Sequence, residues 1–218
     1  MRDSLPAAPF LPRPQLLLGA ALGYAAYLQN PRDPLRPTDL PDGVGPVTHR
    51  LYRADVQGAT LDAAAVTALV GQRLPDLAPK FTAWFRGLDA PLPSRGGPPI
   101  RPGTRLRILL TLTRRARVQV QVMEPTRLRL RTLRLHADAG TVTFRAQDTG
   151  PGGLRLEIET VVRAASWPDR AAYLLAAHLF QRLNWEAVLT GAARLGGGQV
   201  TARDHRTREY AYVPPAAR

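Results

Sequence analysis

Hydrophobic and polar residues alternate along the middle of the chain. Leu106, Ile108, Leu110 and Leu112 take every second position after Arg105. Val118, Val120 and Val122 do the same after Arg117, and Arg127 to Arg131, Val142 to Phe144 and Leu154 to Glu159 repeat the pattern. A period of two sends successive side chains to opposite faces, so each segment predicts a strand with one buried face. Turn residues stand between the strands at Glu124 and Pro125, at Ala137 to Gly140 and at Asp148 to Gly153. An earlier strand is predicted over His49 to Val56.

The alternation stops after Arg163, and one long helix is predicted from Trp167 to Arg194. Ser166 supplies an N-cap, Pro168 is tolerated in the first turn, and Asp169 suits the positive helix end. Leu175, Leu179 and Leu183 fall on one face of it, with Tyr173, Ala177, Phe180 and Asn184 on the adjacent one. Gly196 to Gly198 end it. Upstream, Thr60 or Asp62 caps a helix through Arg73, and Leu77 to Phe85 reads as a second short helix ending at Gly87. The order is a curved antiparallel meander wrapped around a long C-terminal helix, an α+β architecture.

The ends are less regular. Leu16 to Leu28 is apolar but shorter than the roughly 20 residues a spanning helix needs. It reads as a short packed helix, with a targeting segment as the alternative. Asn30 to Gly45 is rich in Pro, Asp and Gly and reads as a linker. The expected organisation is therefore an N-terminal extension over 1–44, one domain over 45–198, and a loosely held basic tail over 199–218.

Composition narrows the chemistry. The sequence of 218 residues has no Cys, which excludes disulfides, thiolate metal sites and a Cys nucleophile. It also makes a cytoplasmic location the default, with membrane association or export through residues 16–28 as the alternative. The net charge is +13, and Lys80 is the single lysine. Arg105, Arg107, Arg127, Arg129, Arg131 and Arg155 occupy the polar positions of the strands and are expected to share the outward sheet face. Such a face can engage polyanions weakly and in a salt-sensitive way. Aromatic residues do not interleave with it, so stacking on bases is not indicated and no specific nucleic-acid readout is expected.

Three segments carry a family resemblance: Gly45 to Tyr52 (GPVTHRLY), Leu77 to Gly87 (LAPKFTAWFRG) and Thr132 to Gly140 (TLRLHADAG). Together with the element order, they resemble the YndJ-like bacterial proteins, a group without an assigned substrate in the SRPBCC superfamily. The resemblance implies the START-like helix-grip fold, often with a cavity between sheet and helix. In the third segment the family reads approximately Thr-Leu-x-Gly-His-Pro-Glu-Ala-Gly. This chain keeps His136 and Gly140 but has Leu135, Ala137 and Asp138 where Gly, Pro and Glu are expected.

The expected function is binding of a small apolar or amphipathic ligand in such a cavity. The residues expected to line it are Trp84, Phe85, His136, Tyr173, His178 and Trp185. Pockets of this kind are mostly apolar with a few placed polar groups. His136 with Asp138 is the candidate catalytic pair, because a carboxylate near an imidazole can orient it for general base work. No nucleophile is legible, so a binding role comes first and a cyclase-like or hydrolase-like enzyme is the alternative. A second alternative is a basic module that binds nucleic acid or anionic membrane. His49 and His205 stand too far from the others for a metal cluster, and neither a metal nor a cofactor is expected.

Overall fold

The computed structural model describes residues 35–110 and 114–214. Among the described residues, eight strands form one antiparallel sheet: β1 (Val44–Gln57), β2 (Ala83–Gly87), β3 (Arg105–Leu110), β4 (Arg114–Glu124), β5 (Arg127–Thr132), β6 (Asp138–Gly150), β7 (Gly153–Ala164) and β8 (Gln199–Tyr210). Their spatial order is β2-β3-β4-β5-β6-β7-β1-β8. The expected meander is present, and the first strand lies near its far end between β7 and β8.

Helix α1 (Ala63–Leu77) starts where Asp62 accepts a hydrogen bond from the Ala65 amide at 2.7 Å. Its buried residues Ala63, Val66, Thr67, Val70, Gly71 and Leu74 fall on one helical stripe. The later helical region has three parts: α2 (Trp167–Ala172), a π-helical segment (Tyr173–Ala177) and α3 (His178–Leu195). Phe85 and Ile108 from one end of the sheet and Tyr52 from the other join Val188 and Leu189 of α3 in a single core. The sheet therefore curves around the helices.

Several expectations need correction. The helical region is neither uninterrupted nor C-terminal, because Tyr173–Ala177 is π-helical and β8 follows. Gln199 to Tyr210, expected as a loose tail, pairs with β1 along its length. An edge strand exposed on both faces has no apolar alternation to betray it. The short helix expected over Leu77 to Phe85 gives way to β2, in which Ala83 and Phe85 are buried and pair with β3. Five residues are too few for periodicity to separate a strand from a helix turn. Leu179 and Leu183, placed together on one helix face, are 39% and 51% exposed there, alongside Trp167 and Leu174.

Within the expected linker, residues 35–43 are tied down. Thr38 donates its amide to Thr132 O at 2.9 Å, Arg134 donates to Arg36 O at 2.9 Å, and Asp39 pairs with Arg131. The apolar stretch Leu16 to Leu28 lies outside the described residues. No described helix is long and apolar enough to cross a membrane.

The outward arginines are largely engaged. Arg105 pairs with Asp89 at 2.7 Å, Arg127 with Glu124 at 2.8 Å, Arg155 with Asp55 at 2.8 Å and Arg131 with Asp39. Arg129 donates to Thr143 Oγ1 at 3.1 Å.

Candidate functional site: a small cavity with a buried polar end

Alternation along β4 places Arg114 on the same side as Ala116, Val118 and Val120, all buried. A guanidinium is thereby carried inside the sheet. Its partner comes from the first turn of α2: Nε and Nη2 donate to the two Asp169 oxygens at 3.2 and 3.3 Å. Both side chains are more than nine-tenths buried, with 8% and 3% exposed. Ser166 Oγ donates to Asp169 Oδ2 at 2.7 Å and accepts from the Asp169 amide at 3.2 Å, so the helix cap also fixes the carboxylate. Burial pushes the Asp169 carboxyl above its ordinary range, while Arg114 opposes the shift. Arg114 Nη1 has no hydrogen-bond partner among the described residues.

The turn from β5 to β6 brings His136 and Asp138 to the same place. Thr132 Oγ1 holds this turn, accepting from the Gly140 amide at 2.9 Å and packing at 2.8 Å against Thr38 Oγ1. Gly140 has φ +145°, and a Cβ there would lie 2.2 Å from Val161 O, so only glycine fits. Leu135 has φ +74°, in the left-handed region that costs an ordinary side chain strain.

His136 Nδ1 accepts a 2.9 Å hydrogen bond from the Asp138 backbone amide, which assigns the ring proton to Nε2. The Asp138 carboxylate is not the group that orients the imidazole. Burial, reinforced by the nearby Arg114 charge, lowers the His136 pKa to about 3, so the ring is neutral at ordinary pH. Such a ring is poorly matched to base catalysis near neutrality. Burial moves Asp138 the other way, favouring its uncharged acid against the pull of Arg50 and Arg114.

These groups form one end of a cavity of about 170 Å³ between the sheet and the later helices. Arg114, His136, Asp138, Asp169 and Tyr173 line that end. Phe85, Ile108, Leu110, Val118, Leu130, Val142, Phe180 and Trp185 supply apolar wall. Behind Tyr173, Arg50 of β1 lies 4.6 Å from the ring centroid, and burial raises the phenol pKa. Thr82 Oγ1 donates to the Asn184 amide oxygen at 2.8 Å, and both residues also line the cavity. Gln181 Oε1 and Trp185 Nε1, one helical turn apart on the α3 wall, have no partner among the described residues.

Of the residues expected to bind ligand, the structure gathers Phe85, His136, Tyr173 and Trp185 around this cavity. Trp84 points away from it: it alternates with Phe85 along β2 and stacks under the Arg86 guanidinium at 4.5 Å. The backbone of His178 opens α3, and its side chain lies outside the described residues. Arg114 and Asp169 were not expected, although the inward phase of Arg114 is legible from its alternation with Ala116 and Val118. Among the described residues, no cluster of three or more His, Asp or Glu is arranged to hold a metal.

No family model matches this chain, and no curated protein does. Several solved structures are similar to part of it. Norcoclaurine synthase from Thalictrum flavum, in complex with dopamine and hydroxybenzaldehyde, is 14% identical with a TM-score of 0.47, over 69% of this chain and 87% of that one. The di-domain aromatase/cyclase StfQ of the steffimycin biosynthetic pathway is 13% identical with a TM-score of 0.48, over 72% and 52%. Ginseng major latex-like protein 151 from Panax ginseng is 8% identical with a TM-score of 0.45, over 70% and 99%. None of these likenesses lends this chain a substrate or a residue role.

Proposed function

We propose that this protein binds a small amphipathic molecule in the cavity between its sheet and its later helices. One observation carries the reading: an apolar-walled space closed at one end by buried polar groups. Its volume, about 170 Å³, is comparable to that of a buried cavity of roughly 150 Å³ that accepts benzene. The space suits one ring or an equally short chain and is too small for a long lipid or a polycycle. The wall supplies hydrophobic contact, and the polar end fixes orientation. The resemblance of Thr132 to Gly140 to the YndJ-like proteins fits this reading, since that segment frames the polar end. Catalysis by His136 is the weaker alternative, because the Asp138 amide, and not its carboxylate, holds the ring.

Filling the space tests the proposal. Val142→Phe places a ring where the ligand would sit. Single-ring compounds should raise the melting temperature of the parent and leave the folded variant unshifted. Native mass spectrometry should find a small organic molecule on the parent that the variant lacks. A variant that binds the same compounds with unchanged affinity would rule out the cavity as the site.

A further inference from the structure

Arg114 has more donors than its surroundings use. Asp169 occupies Nε and Nη2, while Nη1 is buried and without a partner among the described residues. A buried guanidinium N–H left without an acceptor is costly, and an anionic acceptor satisfies it best. Charge bookkeeping around this point leads the same way. Arg50 and Arg114 bring two positive charges, and Asp169 answers one. Asp138 is the other carboxyl lining this end, and burial favours its uncharged form. His136 is neutral because burial, reinforced by the Arg114 charge, resists protonation. The Tyr173 phenol is uncharged, and Glu209, outside the cavity lining, is taken by Arg170 at 3.2 Å. Of the two guanidiniums, that of Arg114 lines the space the size of a single ring, and its Nη1 is unused there.

We propose that the ligand is a small organic monoacid, a single-ring aryl carboxylate or its short-chain equivalent, and that Arg114 Nη1 receives its carboxylate. This rests on the cavity being the binding site. A carboxylate fits this place because the unpartnered Arg114 Nη1 is a charged donor in the wall of a space the size of a single ring. Arg114 is a binding residue in this scheme, and Asp169 positions it.

Three probes of similar size decide the matter: phenylacetate, its isosteric amide phenylacetamide, and the shorter alcohol 2-phenylethanol, titrated calorimetrically at neutral pH. The parent should bind phenylacetate at least about tenfold more tightly than either neutral compound, a factor equivalent to about 1.4 kcal/mol. Arg114→Met combined with Asp169→Asn removes both charges together and avoids stranding a buried carboxylate. It should abolish the preference for the acid, so that acid, amide and alcohol bind with affinities within about threefold of one another. Arg114→Lys serves as a second variant, keeping the charge but losing the planar fork, and should retain part of the preference. If the parent binds the amide or alcohol as tightly as the acid, the acid assignment is wrong and the cavity reading stands. If the acid preference survives the double substitution, the carboxylate is read elsewhere and the role of Arg114 is overturned. If no probe binds the parent, both readings fall.

Discussion

Leu135 occupies a backbone conformation that glycine adopts freely, with φ at +74°. A left-handed leucine costs roughly 1–2 kcal/mol, and introducing glycine costs roughly 0.4–1 kcal/mol in the unfolded chain. Leu135→Gly should therefore stabilise the protein by roughly 0.5–1 kcal/mol, read as a higher chemical-denaturation midpoint. A lowered midpoint would show that the leucine side chain contributes more contact than its backbone costs. The neighbouring His136 predicts a pH effect. Its pKa falls from 6.5 in the unfolded chain to about 3 in the native state. Between those values the unfolded state binds a proton that the native state refuses, so stability falls as pH drops below about 6.5. His136→Gln keeps an acceptor for the Asp138 amide but removes the titration. The variant should be less stable at pH ~7.5, and its deficit should shrink by up to a few kcal/mol towards pH ~4.5. Parallel pH profiles would show that His136 is not held neutral. Asp138, shifted upward, contributes with the opposite sign, but it is common to parent and variant and largely cancels in the difference.

At the level of elements, the strands were legible wherever one face is buried and the other wet. Phe85, His136, Tyr173 and Trp185 were legible as cavity residues because aromatic and turn signals pick them out. Trp84 was misplaced because two adjacent strand residues cannot share a face, a rule that needs β2 to be seen as a strand first. Arg114 escaped notice among so many arginines, and Asp169 looked like an ordinary first-turn acid. The π-helical segment defeats a constant helical period, since one wide turn rotates everything after it. That accounts for Leu179 and Leu183 facing solvent although their spacing marks a regular stripe. β8 was illegible for the reason that makes it an effective edge: Arg203, Asp204, Arg206 and Arg208 discourage pairing with other chains. It also holds β1 in place, stacking His205 on Tyr52 at 4.6 Å between centroids and joining Arg203 to Thr190 Oγ1 at 2.7 Å. Ending the chain after Gly198 should lower the melting temperature and produce concentration-dependent aggregates in light scattering. A monodisperse truncation melting with the parent would reduce β8 to an ornament of the sheet.

For the whole molecule, the net charge of +13 predicts weak attraction to any polyanion. The ion pairs along the outward face leave little of that charge arranged for recognition. Labelled duplex DNA should bind at ~20 mM salt without sequence preference and be released near ~150 mM, as expected for purely phosphate-driven contacts. Anisotropy titrations across that range are sufficient, and tight binding that persists at the higher salt would make nucleic acid the principal partner.

The strand order has one more consequence, and it concerns time. β1 is made early, yet both its neighbours, β7 and β8, are made last, and Thr48 pairs with Val162 on one side and Glu209 on the other. Strands β3 to β7 can zip together hairpin by hairpin as they emerge. β1 must wait for about a hundred residues on one side and about a hundred and sixty on the other, and closing such long loops is slow. While it waits, a strand with alternating apolar residues stands unpaired on a growing chain. The resting protein hides that edge on both sides; the nascent one exposes it until nearly the last residue of β8 has left the ribosome.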